Sequence, residues 1–253
     1  MILIIRLLPL AVGALEVFLF WWQSTFPGSY PYLVLAAFAA VPIASSVIAG
    51  RQVKMRDLLE KMSPTYILLA VLGFALLLAE GRGQVIFLIS LAGFATYISL
   101  ELLFNYARNP QAYPVNGLSH VNLAYVPLIV WYAASTSTGL MIFLHSSGVW
   151  HVIGAFVLGV LIFRTTGHPG ATSQQNYVWM IVGGVMGLEV GLLGLLLPTS
   201  TQVQGLVAAI IFCGVLRVRR YLYDPKPSIR TAWIEVSLGL SALAITLGSA
   251  KWL

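Results

Sequence analysis

Residues 176–197, NYVWMIVGGVMGLEVGLLGLLL, form the stretch from which the fold class follows. At about 1.5 Å per residue, a helix of this length reaches roughly 33 Å, which is enough to cross the hydrocarbon core of a bilayer. Gly183, Gly187 and Gly191 recur at every fourth position and share one face, where missing side chains let another helix approach closely. The stretch therefore predicts a transmembrane helix whose glycine face binds a partner transmembrane helix.

The composition of the whole chain also indicates a membrane protein. Hydrophobic residues make up 59% of the 253 residues, charged residues only 9%, and the mean hydropathy is +0.89. A soluble domain carries about 25% charged residues, so a soluble core does not account for these values. The apolar runs leave no room for a sizeable extramembrane domain, and we predict a single integral membrane domain over residues 1–253, embedded in the lipid bilayer.

Apolar runs separated by Pro, Gly and charged residues predict an all-α polytopic transmembrane bundle with about nine spans. An amphipathic surface helix is expected over 51–62, because its apolar residues follow an i, i+3, i+4, i+7 pattern; a solvated loop is the alternative. Eight spans are tenable if the third is re-entrant. The predicted spans are 2–22, 30–50, 64–79, 83–106, 119–136, 140–164, 176–197, 202–221 and 231–250.

The basic residues predict how the bundle is oriented. With nine spans and a cytoplasmic N-terminus, all of the 14 Lys and Arg residues except Arg82 and Lys251 fall on the inner side. Cytoplasmic membrane loops are enriched in Lys and Arg in this way. We therefore predict a cytoplasmic N-terminus and a C-terminus outside, in the plasma (inner) membrane.

The net charge of +6 and the single cysteine bear on nucleic-acid binding, on disulfides and on thiolate metal sites. The basic residues lie in short loops between apolar runs, as in membrane proteins, so we expect no nucleic-acid partner. Cys213 is the only cysteine, so no intrachain disulfide and no cluster of thiolate ligands is possible.

Ionisable residues at membrane depth are the candidates for chemistry, since such groups are expensive in hydrocarbon and face protein or water. With the predicted orientation, Arg6, Glu101 and Glu235 lie about one turn inside the cytoplasmic edge of three different spans. We interpret them as an inner ion-pair cluster that fixes helices to one another. Contact with a lipid head group or a substrate is the alternative.

A second group of ionisable residues lies toward the outer half of the membrane and consists of Glu16, Glu189, His145 and His151. Carboxyl and imidazole groups in one compartment can relay protons or bind a cation. Alternatively, each group is hydrogen-bonded separately to a backbone carbonyl or to a Ser or Thr hydroxyl. We expect Glu189 to face the interior of the bundle, because it lies between two glycines of the packing face.

The sequence predicts no metal site and no cofactor. His145 and His151 are six residues apart, which places them about 120° apart on a helix rather than in the i, i+4 arrangement of helical metal sites. No Walker loop, dinucleotide-binding glycine pattern, HExxH or GxSxG is present, which makes an enzyme the less favoured class.

Three functions are compatible with these features. A small-solute or ion-coupled transporter would use Glu16 and Glu189 at a site within the membrane. A non-catalytic membrane subunit or scaffold would use the glycine faces to bind partner helices. A less favoured alternative is an enzyme acting on lipid-linked substrates, with the basic segment from Arg217 to Arg230 around a phosphate head group.

Overall fold

The computed structural model describes residues 2–30, 32–50, 52–109, 111, 113–114, 116–167, 171–223 and 229–250. Within those ranges the chain is helical, with one short 3-10 turn at Pro27–Ser29 and no β-strand. Nine helices in the described residues are long and apolar enough to cross a membrane, which confirms the predicted all-α polytopic transmembrane bundle. They are α1 (Ile2–Thr25), α2 (Tyr32–Ala49), α3 (Met55–Leu77), α4 (Arg82–Arg108), α5 (Gly117–Leu144), α6 (Gly148–Thr165), α7 (Ser173–Leu196), α8 (Thr201–Tyr223) and α9 (Ile229–Gly248).

The cytoplasmic N-terminus and external C-terminus stay predictions. Three of the basic residues in the charge count, Arg51, Lys226 and Lys251, lie outside the described residues.

Helix α3 differs from the expected division into a surface helix over 51–62 and a span over 64–79. One continuous helix of 23 residues runs through both segments, with Pro64 inside it. Proline has no N–H to donate to the carbonyl of residue 60, but the Ser63 hydroxyl donates to that carbonyl at 2.9 Å. Because the freed carbonyl is satisfied, the helix continues, and its length of about 35 Å is enough to cross the membrane without a re-entrant turn.

Helix α5 also differs from its prediction, because the polar run 135–139, STSTG, lies inside the helix rather than in a loop. The turn between α5 and α6 comes at residues 145–147, and the Ser147 side chain caps α6 by accepting from the Val149 N–H. Ser135 and Thr138 are buried. A helix break among such buried groups would leave backbone N–H and C=O groups without partners, so the helix persists despite its polar side chains.

Contacts within the chain divide it into two compact units, Met1–Tyr125 and Val126–Leu253. Helix α5 contributes its first part to one unit and its remainder to the other. That the chain forms one integral membrane domain stays a prediction.

The first unit is organised around the close approach of α1 and α4. A Cβ atom added to Gly13 would lie 3.1 Å from the Gly93 carbonyl oxygen, and one added to Gly93 would lie 3.0 Å from the Gly13 carbonyl oxygen. The two backbones are therefore in contact, as small residues allow in membrane bundles. Elsewhere in this unit, the Arg108 Nε donates to the Ile48 carbonyl at 3.0 Å and so caps the end of α2.

The second unit contains a tightly packed pair, α6 and α7. The backbone of Gly187 meets the Ala155 carbonyl so closely that a Cβ atom would collide with it, and Gly183 meets Gly159 in the same way. Gly191 lies against Ala155 and the Val152 backbone. The predicted glycine face thus receives a helix, and that helix is α6 of the same chain.

Candidate functional site

Glu16 lies on α1 in the first unit and is completely buried, with 0% of its side chain exposed. Neither carboxyl oxygen has a hydrogen-bond partner among the described residues. Buried polar groups in proteins are nearly always hydrogen-bonded, and unpaired buried carboxyl groups are rare. Glu16 is therefore the strongest candidate for a functional group in this unit.

The position of Glu16 follows from the buried face of α1. Val12, Glu16, Phe20 and Gln23 recur at intervals of three or four residues, so they lie on one side of the helix, and all are buried. The crossing at Gly13, described above, lies one turn or less from Glu16 and brings the α4 backbone close. Helix packing thus removes the carboxyl group from lipid and water.

Gln23 is a second polar side chain on the same face, about 10 Å along the helix axis from Glu16. Its Nε2 donates to the Gly73 carbonyl at 3.1 Å, while its Oε1 is buried without a partner. Gln23 is not among the predicted site residues, although its spacing of seven residues from Glu16 indicates a shared helix face. The first unit therefore holds two buried side chains with free acceptor atoms on one stripe of α1.

Glu189 lies in the second unit and, contrary to the prediction, is exposed on α7. Gly187 and Gly191 pack on α6, but Glu189 is two residues from each, which is a rotation of about 200° around the helix. Residues two positions apart therefore point to nearly opposite sides of a helix. Glu189 therefore lies on the side of α7 away from α6.

The two histidines have different surroundings. His145 is exposed in the turn between α5 and α6, with a backbone φ of 50°, and is not part of the sixth span as expected. His151 is buried near the start of α6, where its Nδ1 is 2.8 Å from the Ser137 hydroxyl oxygen. Of the four residues predicted for the outer site, Glu16 belongs to the first unit and the other three to the second.

The three residues of the predicted inner cluster take part in two ion pairs, one within each unit. Arg6 Nη1 contacts Glu101 Oε1 at 2.6 Å in the first unit, and the Arg6 guanidinium also lies over the Phe104 ring at 5.0 Å. Glu235, in the second unit, contacts Arg217 at 2.9 Å instead. It also accepts a hydrogen bond of 2.7 Å from the Tyr221 hydroxyl.

The Arg6–Glu101 pair is expected to contribute little to stability. The two side chains are 52% and 21% exposed, and pairs with such access to their surroundings are worth about 0.2–1 kcal/mol. A double-mutant cycle with Arg6→Met and Glu101→Gln, followed by reversible unfolding in mixed micelles, measures the coupling free energy of the ion pair. The contact between Arg6 and Phe104 is lost with or without Glu101, so it cancels in the cycle. A coupling above about 2 kcal/mol contradicts this expectation and indicates a pair shielded from water and salt.

Arg219 is a buried cation, although the sequence predicts it only as part of a basic segment. It is 2% exposed, although it lies in the last turns of α8. Its Nη1 donates to the carbonyls of Phe163 and Thr166 at 3.1 and 3.3 Å, and its Nη2 donates to Asn176 Oδ1 at 2.6 Å. The guanidinium therefore caps the end of α6, where carbonyl groups lack helical partners. With Arg217 paired to Glu235 as well, two cations of the proposed phosphate site are engaged within the protein.

No group of three or more His, Cys, Asp or Glu side chains in the described ranges is arranged to hold a metal ion. Comparisons with protein-family models, curated proteins and solved structures give no match for this chain.

Proposed function

We propose that this chain is a multi-pass plasma-membrane protein that carries protons across the bilayer, alone or coupled to a small solute, with Glu16 as the proton-binding group. The observation that supports the proposal is the complete burial of this carboxyl group with both oxygens unpartnered. Ionisable residues within transmembrane segments generally mark ion or proton pathways.

The surroundings of Glu16 favour proton binding over a structural role. The described ion pair of the first unit uses Glu101 and Arg6, and Arg6 is ten residues, or about 15 Å, from Glu16 along α1. A carboxylate buried without a counter-charge costs several kcal/mol, whereas a bound proton neutralises it. Transport by alternating access requires that Glu16 become open to water from each side of the membrane in turn.

Proton flux into proteoliposomes tests this proposal. With a membrane potential set by potassium and valinomycin and a pH-sensitive dye inside, the parent protein is expected to carry protons. Glu16→Gln, which keeps the shape but cannot ionise, is expected to lower the flux at least tenfold at matched insertion. Glu80→Gln is the matched control, because Glu80 is exposed between α3 and α4, and it should retain the parent flux.

Two results contradict the proposal. Equal flux in the parent and in Glu16→Gln removes this carboxyl from the pathway. No flux in the parent under any ion gradient excludes proton transport altogether.

A second candidate function is a non-catalytic membrane subunit, and the exposure of Glu189 favours it. This acid lies on a face of α7 with large exposed apolar side chains, including Val185, Leu188 and Leu192. A carboxyl group at membrane depth is stabilised when a partner helix covers it. If the parent protein shows no proton flux, the role of a non-catalytic membrane subunit becomes the favoured function.

A further inference from the structure

One side of α7 is exposed along most of the helix, and Glu189 lies on it. Its residues recur at intervals of three or four, and they lie opposite the glycines that pack against α6. We call this side the Glu189 face. Besides Glu189, it consists of exposed apolar side chains, namely Val178, Ile181, Val185, Leu188, Leu192 and Leu196. Glu189 is therefore the ionisable member of an otherwise apolar surface.

The position of Glu189 along α7 places its carboxyl group inside the membrane. Glu189 lies seven residues before Leu196, so about 10 Å of helix separates it from the nearer end of α7. Four leucines, at 192, 193, 195 and 196, fill that last stretch. Because α7 is long and apolar enough to cross a membrane, we expect the carboxyl group to lie among acyl chains rather than at the head groups.

Lipid can cover the apolar side chains of the Glu189 face, but it cannot satisfy the carboxyl group. Acyl chains offer no hydrogen bond and no counter-charge, and ionisable residues in transmembrane segments normally pair with one another or face protein or water. Neither of the two ion pairs between described residues includes Glu189. The group that covers this carboxylate is therefore expected to come from another chain.

A second copy of this chain does not supply the counter-charge. With the predicted orientation, Arg82 and Lys251 are the basic residues on the outer side of the membrane, where α7 ends. Arg82 is the first residue of α4, so it lies at the membrane edge rather than at the depth of Glu189, and Lys251 lies outside the described residues. Two copies that met through the Glu189 face would instead bring two carboxyl groups to the same depth, where like charges disfavour each other.

We propose that the Glu189 face binds a transmembrane helix of a different protein, which carries a lysine or arginine at the depth of Glu189. The cation of that helix neutralises the carboxylate, and its apolar side chains pack against those of the face. A helix without the cation leaves the carboxyl group unpaired, so the charge determines which helix is accepted. The inference rests on the second candidate function and names its partner; it does not depend on proton transfer at Glu16.

Binding of a synthetic transmembrane peptide to the full-length protein in liposomes tests this proposal. The peptide has the length of α7, consists of leucine and alanine, and carries one lysine that is level with Glu189 when the peptide lies parallel to α7. A reference peptide has leucine in place of that lysine. Energy transfer from a donor at the C-terminus of the protein to an acceptor on the peptide measures affinity as the peptide-to-lipid ratio is varied. We expect the parent to bind the lysine peptide at least tenfold more tightly than the leucine peptide.

A substitution at Glu189 shows whether the contact is specific. Glu189→Gln removes the charge and nearly keeps the shape, so we expect it to weaken binding of the lysine peptide at least tenfold and to leave binding of the leucine peptide unchanged. Because Glu189 is exposed, this variant should fold like the parent. Glu80→Gln is the matched control, since it removes an exposed acid between α3 and α4, and it should bind both peptides like the parent.

Three results overturn the proposal. If the lysine and leucine peptides bind equally, or if neither binds, the charge of Glu189 does not select a helix. If tight binding of the lysine peptide survives Glu189→Gln, the contact lies elsewhere. If donor-labelled and acceptor-labelled copies of the protein associate with each other and Glu189→Gln abolishes that association, the face belongs to a second copy. Equal binding of both peptides leaves the subunit function standing without the ion pair, and none of these results bears on proton flux through Glu16.

Discussion

Replacing Gly187 with alanine is expected to lower the free energy of unfolding by about 3 kcal/mol, at the upper end of the usual penalty for overpacking. The added methyl would collide with the Ala155 carbonyl group and lie 3.2 Å from the Phe156 Cα atom. These are backbone atoms, which cannot rotate away as a flexible side chain can. Helices α6 and α7 must therefore move apart along the whole of their contact. Every contact between their residues that depends on the close approach is then weakened.

Gly154→Ala is the matched control for this prediction. Gly154 lies on α6 as well, but apart from its own helical backbone and its chain neighbours nothing in the described residues lies within 4 Å of the position that its Cβ would occupy. In a helix interior, alanine is favoured over glycine by about 1 kcal/mol, so the control should be neutral or slightly stabilised. Reversible unfolding in mixed micelles compares the two variants. Equal stability of Gly187→Ala and Gly154→Ala would falsify the backbone contact between α6 and α7.

The contact between α6 and α7 also shows what the sequence could and could not predict. Gly183, Gly187 and Gly191 share a face by spacing alone, and that property of one helix was enough to predict close packing. The helix that fills the face is a property of the tertiary structure. Ala155 and Gly159, four residues apart on α6, form the complementary small-residue pattern, but nothing in their spacing selects α7 over another helix.

The nine spans were predictable for a similar reason, since length and apolar content are properties of each segment alone. The errors arose where local polarity and tertiary burial disagree. The run STSTG has the composition of a loop, yet its buried hydroxyls lie within α5. Pro64 has the appearance of a helix start, yet the Ser63 hydroxyl satisfies the carbonyl that the proline leaves free.

For the candidate site, the sequence identified the right kinds of residue but not their surroundings. Glu16 and Glu189 are both acids within apolar runs, and sequence alone gave them the same role. In the structure one is buried and the other exposed, because burial depends on which face of each helix meets a neighbour. That the Glu16 carboxyl group has no hydrogen-bond partner among the described residues was beyond prediction, since being unpartnered depends on every surrounding atom.

Replacing Arg219 with methionine is expected to lower the free energy of unfolding by about 3 kcal/mol or more. Methionine retains much of the packing volume but none of the donors, so the carbonyls of Phe163 and Thr166 and the side-chain oxygen of Asn176 lose their charged partner. A buried acceptor left without its partner costs about 1–3 kcal/mol, and more when the lost bond is charge-assisted. Loss of the guanidinium also removes its contacts with the Phe163 and Trp179 rings at 5.8 and 5.7 Å.

The geometry of Arg219 distinguishes a general charge effect from a specific one. Its planar fork reaches acceptors on both sides of the connection between α6 and α7, which a lysine ammonium on a single stem does not reproduce. Arg219→Lys is therefore expected to recover only part of the stability lost in Arg219→Met, although it keeps the charge. Arg220→Met, at the exposed neighbouring position, should change the unfolding free energy by less than about 0.5 kcal/mol. If Arg219→Lys has the same unfolding free energy as the parent, charge alone stabilises the end of α6. If Arg219→Met lowers the unfolding free energy by less than about 1 kcal/mol, the cap contributes little to holding α6, α7 and α8 together.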